Sequence, residues 1–195
     1  MDQGMKTTRL EAFSDGVIAV IITIMVLELK LPEPPNLSGL LAEWPIFVAY
    51  AVSFVLVATY WVNHHHLMHA AKRVSGPTLW RNIHWLFWLS LYPFITHFVS
   101  ASRGAPTSLA VYGGLGAITA GVWAVLIRDL RRRNLDVAAL VAIGPRRDAM
   151  ILASIGLNIA AIPLAFFSRP LAVLCLVLPP LAYFMPARSL EKFAT

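Results

Sequence analysis

Residues 9–28 read Arg9-Leu10-Glu11-Ala12-Phe13-Ser14-Asp15-Gly16-Val17-Ile18-Ala19-Val20-Ile21-Ile22-Thr23-Ile24-Met25-Val26-Leu27-Glu28. Between Val17 and Leu27 the only polar side chain is Thr23. A helix that crosses a hydrocarbon layer about 30 Å thick needs about 17–25 mostly apolar residues, at a rise of about 1.5 Å each. Phe13 to Leu29 fits such a span, with Asp15 near its start and Glu28 near its end. Lipid offers a backbone no water to bond, so a segment of this kind satisfies its own amides as a helix.

Outward from this stretch the pattern repeats five times, at Ile46 to Val62, Leu79 to Val99, Leu109 to Ile127, Ala149 to Phe167 and Pro170 to Met185. The expected fold is all-α: one domain over residues 1–195 with six transmembrane helices. Composition agrees, since 58% of the 195 residues are hydrophobic and only 13% charged, against about a quarter charged in soluble domains. A proline-rich connector, Leu31 to Pro45, separates the first two spans, and a few residues join the last two as a tight hairpin. No internal repeat is visible, so a symmetric assembly needs separate chains. Gly113, Gly114, Gly116 and Gly121 in the fourth span permit close helix contact. Trp80, Trp85, Trp88 and Tyr92 in the third include candidate interface anchors.

The net charge of +6 is not a nucleic-acid footprint, because no basic, aromatic-interleaved soluble module carries it. The basic residues fall between spans. With the N-terminus inside, thirteen of the sixteen Lys and Arg, from Lys6 to Arg188 and Lys192, lie on inner segments, and only Lys30, Arg103 and Arg169 lie outside. Positive loops stay cytoplasmic, so both termini are expected there. The start of the chain has neither the basic opening nor the small-residue cleavage site of a signal peptide, and the first helix reads as retained. The lone Cys175 excludes a disulfide framework within one chain.

On the first helix Val20, Thr23, Ile24 and Leu27 share one face at 100° per residue. Neighbours on the other faces are also apolar, so periodicity does not choose this stripe. Ile21 and Val26 lie off it by at least about 60° and are expected to face other helices. Thr23 has two readings: a polar site on the stripe, or a hydroxyl bonded back to a carbonyl one turn earlier. Asp15, near the inner boundary, needs a partner, for which Arg9 is near in sequence; proton relay or cation coordination is the other reading.

The second span ends in Asn63-His64-His65-His66-Leu67-Met68-His69. His65 and His69, one turn apart, have the spacing of a metal-binding pair. No carboxylate lies between Glu43 and Asp129, which favours interfacial packing. His84 and His97 are candidate proton carriers or hydrogen-bonded structural residues.

The run Arg9-x-x-x-Phe13-Ser14-Asp15-Gly16 with Ala19, Thr23 and Leu27-Glu28 resembles the signature of the transmembrane protein 175 family of potassium channels. Trp61-x-x-His64-His65, Asn82 and Pro93-Phe94-x-Thr96 extend the likeness through the first half of the chain. The resemblance implies a single-repeat subunit, assembling as a homotetramer in the cell membrane, whose first helix lines a potassium-permeable pore. It implies an apolar gate at Val20, Ile24 and Leu27, a hydroxyl layer at Thr23 tied to modest potassium over sodium preference, and no enzymatic activity, metal or cofactor. Val20 stands where the family carries the larger Ile or Leu. Arg9, Phe13, Ser14, Asp15, Trp61, His65 and Asn82 would form an inter-helix network away from the ion. Proton conduction or proton-coupled transport, using Asp15, Glu28 and the histidines, is the alternative.

Overall fold

A computed structural model describes residues 7–138, 140 and 144–184. Both chain termini, with Lys6, Met185, Arg188 and Lys192, lie outside the described residues, and so does the expectation of cytoplasmic ends. Every regular element among the described residues is helical. In chain order these are α1 (Thr7–Leu27), α2 (Leu37–Ala42), α3 (Trp44–Ala70), α4 (Gly76–Leu89), α5 (Tyr92–Ala101), α6 (Pro106–Arg133), α7 (Gly144–Phe167) and α8 (Arg169–Phe184).

Among the described residues four helices are long and apolar enough to cross a membrane, lying within α1, α3, α6 and α7; α8 is a shorter apolar helix. The third expected span is broken. Pro93 falls in the first turn of α5; it lacks a backbone N–H and its ring would meet the carbonyl of Leu89. The chain therefore turns at Ser90–Leu91, and two helices in series replace one. The second expected span is instead longer than drawn. With no proline or glycine between Ile46 and Ala70, α3 keeps its helix through all four histidines.

Inside the subunit α1 packs against α3, α4 and α5, while α6 lies between α4 and α7, with α8 against α7 and α3. The tightest seam is α6 on α7. Side chains added at Gly113 and Gly116 would strike the carbonyl oxygen and the amide of Asn158, so these two glycines let the helices close. Gly114 and Gly121 have open space instead. At the heart of the bundle Trp85 stacks on His64 with centroids 5.2 Å apart and meets Trp123 at 4.9 Å. Trp85 and Tyr92 are wholly buried. They are core residues rather than interface anchors; Trp80, exposed on α4, fits that role.

Asn134, just past α6, holds the α3–α4 connection in place. Its Oδ1 accepts from the backbone amides of Lys72 and Arg73 at 2.9 and 2.8 Å, and its Nδ2 donates to the Arg73 carbonyl at 3.1 Å. Ser75 then caps α4 reciprocally with Thr78, supplying acceptors for orphan amides at the helix start. These contacts fix where α4 begins, and with it the depth of Asn82.

Candidate functional site

The two sides of α1 differ. Leu10, Ser14, Ile18, Ile21 and Met25, spaced four, four, three and four residues apart, are buried against the rest of the subunit. On the opposite side Phe13, Val20, Thr23, Ile24 and Leu27 are exposed, Leu27 by 80%. Packing narrows the ambiguity of an all-apolar helix: Val20, Thr23, Ile24 and Leu27 lie within the face that the subunit leaves uncovered, which also takes in Ala12, Gly16, Ala19 and Val26. Ile21 faces the core at 3% exposure, as expected of an off-stripe position, but Val26 does not. It is 46% exposed.

Thr23 Oγ1 donates to the Val20 carbonyl at 2.9 Å. This bond fixes what the hydroxyl offers outward. Its proton is spent on the backbone, and its lone pairs remain on the exposed side. A donor-free oxygen suits a cation and not an anion.

Behind the stripe a buried polar chain ties three helices. Ser14 Oγ donates to the Leu10 carbonyl at 2.9 Å, Asn82 Nδ2 donates to Ser14 Oγ at 2.9 Å, and Asn82 Oδ1 lies 2.9 Å from His64 Nε2. With the amide oxygen as acceptor, His64 carries its proton on Nε2. Ser14, His64 and Asn82 are all fully buried. A second set lies on the flank between α1 and α3. Trp61 Nε1 donates to Asp15 Oδ1 at 2.9 Å, and His65 Nδ1 lies 2.8 Å from Glu11 Oε1. Residues four apart on one helix therefore face residues four apart on the next, running antiparallel.

Of the seven residues expected to form one network, Ser14, Asp15, Trp61, His65 and Asn82 are placed in these two sets. Arg9 and Phe13 are not. Both are exposed on the stripe side of α1, and the partner of Asp15 is the indole of Trp61. His64 and Glu11 complete the sets although the network expected from the sequence left them out. The signal was present: Glu11 stands one turn before Asp15 as Trp61 stands one turn before His65. His69 stacks on His65 at 6.1 Å, and among the described residues no group of three or more His, Cys, Asp or Glu comes together.

Trp61→Phe keeps the ring and removes only the donor to Asp15. Because the site is partly open, the expected loss is about 1 kcal/mol rather than the larger value of a buried bond to a charge. Arg9→Ala should stay within about 0.5 kcal/mol of wild type. Thermal unfolding of the isolated protein in detergent checks both.

At the far end of the stripe His97 Nδ1, on α5, lies 3.2 Å from Glu28 Oε2. Both are partly exposed.

The family description "Endosomal/lysosomal potassium channel TMEM175" matches residues 9–93, the segment that contains the stripe and both polar sets. A potassium channel of Chryseobacterium sp. (strain P1-3) is 40% identical over 190 residues, covering 96% of this chain and 97% of the relative. A potassium channel of Streptomyces collinus is 31% identical over 182 residues, 86% of each chain. The crystal structure of a lysosomal potassium-selective channel TMEM175 homolog from Chamaesiphon minutus superposes with a TM-score of 0.77 at 28% identity, over 91% of this chain and 95% of the other. The relatives are channels and not enzymes, so the histidines of α3 are not a catalytic centre, and the chain, a multi-pass integral membrane protein, belongs to the TMEM175 family of ion channels.

Proposed function

We propose that the protein is a potassium-permeable cation channel in which α1 from each of four copies surrounds a central pore. The observation that carries this reading is the uncovered stripe of Val20, Thr23, Ile24 and Leu27, opposite a face of α1 packed into its own subunit. Each subunit crosses the membrane six times, with α4 and α5 together making one crossing and both termini cytoplasmic. Phe13 and Arg9 continue the stripe toward the inner mouth, where their neighbours belong to other copies. The bacterial relatives named as potassium channels support the choice of ion.

Rings of Leu27, Ile24 and Val20 gate by dewetting, since a hydrated cation finds no ligand there and must shed water to pass. Val20, smaller than Ile24 and Leu27, makes the widest of these apolar rings. Between them the Thr23 ring supplies oxygen lone pairs. Four such oxygens replace less of a hydration shell than stacked carbonyls do, so potassium is favoured over sodium only modestly. The buried Ser14–Asn82–His64 chain and the Asp15–Trp61 and Glu11–His65 contacts hold the back of α1, and so keep the stripe in register with the axis.

Thr23→Val is expected to narrow the difference between potassium and sodium permeability while conduction persists, read from bi-ionic reversal potentials. Pore lining itself is tested by cysteine scanning after Cys175→Ala. Thiol reagents should block current at Leu27→Cys and Thr23→Cys and leave Ile21→Cys conducting. Block at Ile21→Cys alone would mean that another face of α1 lines the pore.

Proton conduction is the second reading, favoured by the Glu28–His97 pair one residue beyond Leu27. The human relative, 33% identical over 85 residues, is named an endosomal/lysosomal proton channel; it matches over 37% of this chain and 17% of its own length. Coupled transport has less support, because among the described residues no carboxylate lies in the middle of α3, α4, α5, α6, α7 or α8. A pH-sensitive dye inside potassium-free liposomes separates the two: acidification driven by a proton gradient alone favours the second reading.

A further inference from the structure

Between α4 and α6 lies an open groove of about 330 Å³, walled by Arg81, His84, Ile118, Gly121, Val122 and Val125. It belongs neither to the stripe nor to the polar sets behind it. One face of α6 runs along it. Ile118, Gly121, Val122 and Val125 make its apolar length, and at the same helical spacing Arg128, Asp129 and Arg132 follow at its end.

The charge at that end is unbalanced. Among the described residues Asp129 is the only carboxylate there, and both its oxygens are taken: Arg81 Nη1 lies 2.9 Å from Oδ1, Arg133 Nε donates at 3.1 and 3.2 Å, and Thr78 Oγ1 donates to Oδ2 at 2.6 Å. Arg128 and Arg132 are exposed on the same face. Two guanidiniums on Asp129, from Arg81 and Arg133, and two more on the same stretch of helix face, from Arg128 and Arg132, leave a surplus of three positive charges over the one carboxylate. His84 adds a donor, because its Nε2 accepts from Trp88 Nε1 at 2.9 Å, which places the proton of the neutral ring on Nδ1.

We propose that this groove binds an anionic glycerophospholipid, with the phosphate at Arg81, Arg128 and Arg132 and one acyl chain laid along Gly121. The arrangement has the polarity of such a molecule, apolar along its length and cationic at its end, and a guanidinium fork matches phosphate oxygens. With Asp129 saturated, nothing at the basic end receives the ammonium of a zwitterionic headgroup. Gly121 provides the width: a Cβ built there meets nothing within 4 Å, so the space in front of it is open to a chain. Basic clusters beside membrane helices attract anionic lipid generally; here the cluster follows an open, mainly apolar groove on the same helix face. This inference rests on immersion in a bilayer and is independent of which helix lines the pore.

The test is native mass spectrometry of the delipidated, purified protein titrated with dioleoylphosphatidylglycerol or dioleoylphosphatidylcholine, alongside thermal unfolding. Wild type should retain phosphatidylglycerol at least tenfold better than phosphatidylcholine, saturating near one tightly held lipid per subunit, and only the anionic lipid should raise the unfolding temperature. Gly121→Leu puts a side chain into the groove at a position where a Cβ meets nothing within 4 Å, and Arg128→Gln with Arg132→Gln removes two of the three surplus charges while sparing the Asp129 cluster. Each should cut the preference at least fivefold with normal size-exclusion behaviour. Equal retention of the two lipids by wild type overturns the proposal, whether or not either variant folds. So does undiminished phosphatidylglycerol binding by Gly121→Leu, or stabilisation by inorganic phosphate equal to that by the lipid. Disulfide cross-linking between copies through Gly121→Cys would also overturn it, by filling the groove with protein.

Discussion

Potassium flux through reconstituted Leu27→Asn is expected to exceed wild type by at least about tenfold, which corresponds to a barrier lowered by about 1.4 kcal/mol. Leu27 is the most exposed of the apolar residues on the α1 stripe, and in the proposed four-fold assembly it forms one of the apolar rings around the axis. An apolar ring at that place excludes water, and an ion crossing it loses hydration with no ligand in return. In the proposed pore an amide would give the ion and its water polar partners at that ring. Folding should be little changed, because the side chain touches nothing of importance within its own subunit. Ile21→Asn is the contrasting variant. Ile21 is buried in the subunit, so an amide there should lower the yield of folded protein and leave flux per folded channel where it was. Val26 is a poor control, being exposed. If Leu27→Asn conducts like wild type while polar exchanges elsewhere on α1 open the channel, the gate is not on this stripe.

Asn82→Leu should be the most destabilising single change in the site. The leucine fills similar space but leaves His64 Nε2 and Ser14 Oγ without the amide that joins them, both fully buried. An unsatisfied buried group costs about 1–3 kcal/mol; the orphaned His64 N–H is such a group, while Ser14 Oγ keeps its bond to the Leu10 carbonyl and loses only an incoming donor, so the expected loss is about 1–3 kcal/mol. Loss of monodisperse oligomer on size exclusion and a lower unfolding temperature are the readouts. The ion preference of whatever channel survives should match wild type, since none of the three residues lies on the exposed face. Ser14→Ala should cost less, because it orphans only one amide hydrogen. A changed reversal potential with normal assembly in Asn82→Leu would mean that the chain acts on the ion directly.

How much of this was legible in the sequence depended on contrast between neighbours. The runs of apolar residues gave the helices and the fold class directly, because nothing else satisfies a backbone in lipid. The face of α1 was not legible from periodicity. Ile18 and Ile21 are as apolar as Val20 and Ile24, and only the packing of α3, α4 and α5 separates them. The break at Ser90–Leu91 could have been read from Pro93, whose effect on the preceding turn is local; the apolar content on both sides concealed it. Trp85 was misassigned for a related reason. An indole at a span's polar end looks like an interface anchor, and its stacking on His64 and Trp123 depends on residues far apart in sequence. Glu11 and His64 entered the polar sets through pairings between helices that no single-helix pattern contains, although the matched four-residue spacings on α1 and α3 hinted at the flank pair.

The central claim, a potassium-permeable channel, is tested most directly by the reversal potential of the purified wild-type protein in a planar bilayer, with potassium on one side and sodium on the other at equal pH. The account predicts a cation current whose reversal is displaced modestly toward the potassium equilibrium potential and does not move when both chambers are shifted together in pH. Absence of cation current, or a reversal that follows an imposed proton gradient and ignores potassium, would contradict it.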